Sequence, residues 1–251
     1  MAVLNDKGLG DGLEVLRAHL GTKDIASLIE RTARWVSAET FALLPIWFPE
    51  HARGVHFYKA NWSTPQENTN RKTLQTVHKK EGNIHANKAL TLALGLRSKE
   101  RPNWSCCHIW GIDDPTYQTG NHLISDNRYF SCIANMVLLP TPLKAFTDVM
   151  PDVKAMLRWC SLQTFGWQPT HSDLIAYQNG LESSIKWDCY PASWPKYRKE
   201  RIPAGTVPLN DRIRKSAIQR MQRIKDDLRN AGDFYPKKQV EAALAEFQIK
   251  L

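Results

Sequence analysis

Apolar residues recur along the chain at two periods, one helical and one alternating. Ile25, Leu28, Ile29 and Val36 fall at helical spacing. Residues 11–20 and 22–38 are therefore expected to be helices, the second with Thr22 as its N-cap. Pro45 and Pro49 interrupt the apolar stretch FALLPIWFPE, and residues 60–70, ANWSTPQENTN, hold the amides and turn formers of a loop. Residues 85–96, HANKALTLALGL, fit both periods, and their Ala and Leu content decides for helix.

In the centre, WSCCHIW (104–110) reads as a strand. Residues 111–128 read as a long loop and YFSCIANMVLL (129–139) as a second strand. Thr141-Pro142 then opens a helix, with Thr141 as N-cap and Pro142 at the first helical position, where its missing N–H costs nothing. Residues 151–163 continue as helix. Residues 209–229 are amphipathic, with Leu209, Ile213, Ala217, Met221, Ile224 and Leu228 in one stripe. Arg212, Arg214, Lys215, Arg220 and Arg223 lie on the other faces. The expected class is α+β, a small ββα core embedded in a mostly helical protein. Residues 1–102 form an N-terminal, mostly helical region, 103–165 the core, and 166–251 a basic helical extension.

Composition adds a partner to this outline. The 251 residues are 42% apolar and include nine Trp, enough to bury a sizeable core. No run of apolar residues is long enough for a membrane span. The first residues, MAVLNDKGLGDGLEV, lack the basic and apolar regions of a secretion signal. Five Cys and no CxxC point to reduced thiols in a cytoplasm rather than a disulfide framework. Cys106, Cys107, Cys132 and Cys160 offer thiols to a structural Zn²⁺, but only the first two are close in sequence. The net charge is +9, which suggests a polyanion such as nucleic acid.

That charge is uneven. Residues 51–101 hold ten basic and three acidic residues, and 196–229 hold eleven and four. Between them, 102–195 hold five and eight. Arg71, Lys72, Lys79 and Lys80 in the first segment, and Arg212 and Lys215 in the second, are the expected phosphate contacts. Asn68, Asn70 and Arg71 have the side chains that read adenine and guanine edges.

Candidate chemistry sits in the near-neutral centre: Cys107-His108 on the first strand, Asn135 on the second, and Lys144 and Asp148 one turn apart on one helix face. The order and spacing resemble the HNH nucleases, the ββα-metal family, in its restriction-endonuclease-like branch. Cys107-His108-Ile109-Trp110 matches the first motif. Asn135 begins NMVLLPTPLKAFTD, which places Lys144 and Asp148 at the family's two helix positions. The resemblance covers about 103–150. It implies a metal-dependent DNA endonuclease of restriction or defence type. His108 would activate water, Asn135 would orient it, and Asp148 and Cys107 would hold Mg²⁺ or Mn²⁺. Lys144 would place its charge beside the phosphate.

Two positions depart from the pattern. Cys107 stands where a carboxylate or His is usual, and Lys144 where His is usual. Asp113 and Asp114 are further carboxylates close to the first motif, or simply a turn before Pro115. A nucleic-acid-binding protein that keeps the scaffold without cleaving is the alternative from another class. RNA stays open beside DNA, and a palindromic target would call for a symmetric homodimer.

Overall fold

A computed structural model describes residues 11–111, 123–171 and 174–251. Asp113 and Asp114 lie outside the described residues. The elements run, in chain order, α1 (Gly12–Arg17), α2 (Thr22–Thr32), β1 (Trp35–Val36), α3 (Ala38–Leu43), β2 (Glu67–Thr69), β3 (Thr76–His78), α4 (Ile84–Ala93), β4 (Trp104–His108) and β5 (Met136–Pro140). They continue with α5 (Thr141–Val149), α6 (Pro151–Phe165), α7 (Ile175–Asn179), β6 (Thr206–Val207), α8 (Asp211–Asn230) and α9 (Lys237–Glu246). The class is α+β, as expected, with small sheets among helices.

The antiparallel pair β4–β5 lies at the centre, with Cys107 opposite Val137 and His108 opposite Met136. Side chains alternate across such a pair, and both faces are covered. Cys107, Val137 and Leu139 pack with Ile25 and Ile29 of α2 and with Val153 and Leu157 of α6. Cys106, Met136 and Leu138 pack with Ala86 and Leu90 of α4 and with Ile213 and Ala217 of α8. Each fully buried Leu or Ile here contributes roughly 1.5–3 kcal/mol by leaving water. From Val153 to Ser161 every residue of α6 is buried.

Several boundaries differ from the sequence reading. The helix expected over 22–38 stops at Thr32, because Arg34 exchanges both backbone hydrogen bonds with Leu138, at 2.9 and 3.2 Å. Trp35–Val36 then pairs in parallel with Thr206–Val207. Gly205 permits that approach: its φ is +77°, and a Cβ there would lie 2.1 Å from the Ala33 carbonyl oxygen. Thr22 is the first residue of α2; Gly21 precedes it as the cap, and its N–H is taken by Asp24 at 3.0 Å. Thr141 is likewise inside α5, and its hydroxyl lies 2.9 Å from that of Ser105.

The second central strand begins at Met136, not at residue 129. Residues 129–135 are bent: the Tyr129 and Phe130 carbonyls accept from the Asn135 and His108 side chains, and those of Ser131 and Asn135 from the Trp47 and Ile109 N–H groups. The loop expected at 60–70 contains β2, paired with β3 in a ribbon whose strand residues are all exposed. The buried stripe of α8 is as expected at Ile213, Ala217 and Ile224, capped by the Asn210 side chain. Arg220, expected on an outer face, is buried. No helix among the described residues is long and apolar enough to cross a membrane.

Candidate functional site

β4, β5 and α5 follow one another as strand, strand, helix, and the turn that leaves β4 is pinned from four sides. His108 is the last residue of β4 and is 8% exposed. Its Nε2 lies 2.9 Å from the Phe130 carbonyl oxygen. A carbonyl only accepts, so Nε2 carries the proton and Nδ1 keeps its lone pair. Asn135 is fully buried and holds the next residues. Its Oδ1 accepts the Trp110 N–H at 2.7 Å, and its Nδ2 donates to the Trp110 and Tyr129 carbonyls at 3.2 and 3.3 Å. From α6, Lys154 donates to the His108 carbonyl at 3.1 Å and Arg158 to the Ile109 carbonyl at 3.4 Å.

Burial pushes the His108 imidazole down to about 4, against the opposing pull of the Phe130 carbonyl, and the charges of Lys154, Arg53 and Lys144 add to the fall. At neutral pH the ring is an uncharged base beside three cations. Sequence reasoning missed Lys154, Arg158 and Arg53. Lys154 and Arg158 are one turn apart in an apolar helix, a spacing that could have marked them as turned toward a common backbone.

The donors expected to hold a metal are arranged differently. Asp148 is paired with Lys144 at 3.3 Å and with Lys154 at 3.9 Å. The Cys107 thiol is pushed up to about 12 by burial and by the nearby Asp148 carboxylate, so it stays protonated. One carboxylate shared by two ammonium groups beside a neutral thiol does not fit a hard divalent cation, which wants oxygen ligands. Alternation along β4 also sends Cys107 toward the α5 and α6 side and His108 toward Phe130, whose ring stacks on it at 5.6 Å.

The basic residues fall into two groups. Arg71 and Lys72 lie exposed at the tip of the β2–β3 ribbon, where Asn70 Oδ1 takes the Lys72 N–H at 2.9 Å. Lys79 and Lys80 lie at its root, and the Lys79 ammonium sits 4.7 Å from the Phe57 ring centre. On α8, Lys215 is exposed, while Arg212 reaches Glu100 at 3.4 Å. The two basic segments meet in a cleft of about 380 Å³, lined from the ribbon side by Tyr58, Trp62 and Gln66 and from α8 by Arg220 and Arg223. His51 and His85 open into the same cleft, and neither was singled out from the sequence.

No family model, no curated protein and no solved structure matches the chain.

Proposed function

We propose that the protein is a DNA endonuclease of the HNH type in which His108 is the general base. One observation carries this reading. The last residue of the first central strand is a histidine whose Nε2 is committed to a carbonyl, while the Asn just before the second strand fixes the turn after it. A neutral imidazole with one free lone pair, held rigidly, is what proton abstraction from water requires. Asn135 and Arg158 are positioning residues that act through the backbone. Lys144 and Lys154 place positive charge beside the ring, where they would offset charge growing on the phosphate.

The exposed ribbon supports nucleic acid as the partner. A two-stranded ribbon without a packed face is marginal in water by itself, and its surplus of Arg, Lys and Asn fits a phosphate backbone or the major groove, which admits such a ribbon. A second reading has a specific observation behind it: the lysine-occupied Asp148 favours a binder that has lost cleavage.

Plasmid DNA incubated with the wild-type chain, in Mg²⁺, in Mn²⁺ and in chelator, separates the two. Nicking by the wild type that is absent with His108→Ala supports the endonuclease. Retention of plasmid without nicking under every condition supports the binder. Cleavage confined to RNA in a parallel assay moves the substrate and keeps the chemistry.

A further inference from the structure

Among the described residues, one cluster has the donor set of a transition-metal site, and it lies outside the ββα unit. His51, Glu81 and His85 each bring a donor atom within 4.8 Å of the other two. We propose that this cluster binds a first-row divalent cation of borderline softness, with Zn²⁺ as the type. The proposal is independent of whether the ββα unit cleaves DNA.

The backbone that carries the donors is already fixed. Glu81 ends the ribbon's root, with its N–H on the Val55 carbonyl and its carbonyl on the Gly54 N–H, both at 2.8 Å. One Glu81 oxygen accepts the Ile84 N–H at 2.6 Å and so anchors the start of α4, and His85 follows in the first turn. His51 reaches in from the loop after Phe48, in a turn closed by its own N–H on the Phe48 carbonyl at 3.0 Å.

Two features of the cluster call for a cation. Glu81 is 2% exposed, yet no lysine or arginine among the described residues pairs with it. Its other oxygen meets only His85 Nδ1, at 2.5 Å. His51 is 7% exposed, and its Nδ1 is buried with no hydrogen-bond partner. A buried carboxylate whose one ionisable partner is a histidine and a buried ring nitrogen with no partner are each costly, and a metal ion satisfies both.

The surroundings admit one. The two imidazole rings lie parallel, 3.4 Å apart and within 7°, and each offers a nitrogen within 4.8 Å of a Glu81 carboxylate oxygen. Among the cations that line the cleft, Arg220 is paired with Glu50 and Arg223 with Asp227 at 3.0 Å, and the Lys88 ammonium sits 5.2 Å from the Phe48 ring centre. Two imidazoles and a carboxylate suit Zn²⁺, Co²⁺ or Ni²⁺ better than Mg²⁺ or Ca²⁺, which prefer oxygen alone. Three protein donors leave a coordination position open, and the rings face the cleft between ribbon and α8.

The test is a titration of the chelator-treated full chain with Co²⁺ at neutral pH, read by visible absorption. The expected result is a band that saturates at a single equivalent, bleaches when Zn²⁺ is added and is indifferent to excess Mg²⁺. His51→Ala and His85→Ala should lose the band, while Asp148→Ala and His108→Ala keep it. Circular dichroism shows which variants fold. Should either alanine variant fail to fold, the near-isosteric Glu81→Gln decides, with an expected weakening of at least about tenfold. A folded wild type that gives no band, a band that survives intact in the folded cluster variants, or one lost in Asp148→Ala overturns the proposal.

Discussion

Three cations, Lys154, Arg53 and Lys144, act on the buried His108 imidazole, and two of them share the Asp148 carboxylate. Around His51 and His85 two carboxylates, Glu50 and Glu81, are buried beside the rings; Arg220 and Arg223 are paired with acids there, and the Lys88 ammonium sits over the Phe48 ring. The first arrangement keeps a base neutral and draws an anion; the second holds two buried carboxylates beside a ring nitrogen that has no partner. The ion pairs differ in the same sense. Lys144 and Asp148 are 39% and 44% exposed, whereas Arg220 and Glu50 are 9% and 6% exposed. Water screens the former pair, while the latter has given up its hydration and depends on its partner.

The largest expected effect comes from breaking the buried pair. Arg220→Ala removes the guanidinium paired with the buried Glu50, removes a donor to the Trp47 carbonyl and uncovers the Phe48 ring. It should destabilise by about 3–5 kcal/mol in urea unfolding. The equivalent change at the other site, Lys144→Ala, should cost under about 1 kcal/mol. Comparable losses would erase the contrast.

Next is acid. The folded His108 pKa, about 4, lies below the usual value of 6.5. Between those values the unfolded chain takes up a proton that the folded chain does not, so stability falls as pH falls through that window. The loss attributable to this ring is at most about 3 kcal/mol. It should appear as a shallower pH slope in His108→Gln than in the wild type. Identical slopes would mean that the ring is not buried neutral.

Asn135→Ala should follow, at about 2–3 kcal/mol, because it removes the partners of the Trp110 N–H and carbonyl and one of the two donors to the Tyr129 carbonyl. Its cleavage rate should fall further than its stability explains, since the turn beside His108 is released. The smallest effect on the fold belongs to the ribbon tip. Arg71→Ala with Lys72→Ala should leave the unfolding midpoint unchanged. For every phosphate that these side chains neutralise in the wild type, the double variant should show a salt dependence of DNA binding shallower by about 0.9 in log–log slope. An unchanged slope would remove the ribbon from the interface.

The ββα order was legible because its signals are local. An apolar run ends in Cys107-His108, a second run follows Asn135, and Pro142 marks a helix start. The ribbon was not legible, since its paired residues, Glu67 to Thr69 and Thr76 to His78, have no buried face and so no alternation to read. β1 and β6 are two residues each and meet across most of the chain. The His51–Glu81–His85 cluster escaped for a similar reason. Glu81 and His85 share the i, i+4 spacing of many solvated helix starts, and His51 comes from a distant loop. The charge pattern of α8 set Arg220 among surface cations, because nothing local reveals that Glu50 lies against it.

The most direct measurement is single-turnover cleavage of plasmid DNA by the wild type and by His108→Ala, with DNA affinity measured on the same preparations. The expected result is a rate lower by about 10²–10⁴ in the variant, as for loss of a positioned general base, with affinity unchanged. Equal rates in the two proteins would contradict His108 as the base and leave the ββα unit as a scaffold alone.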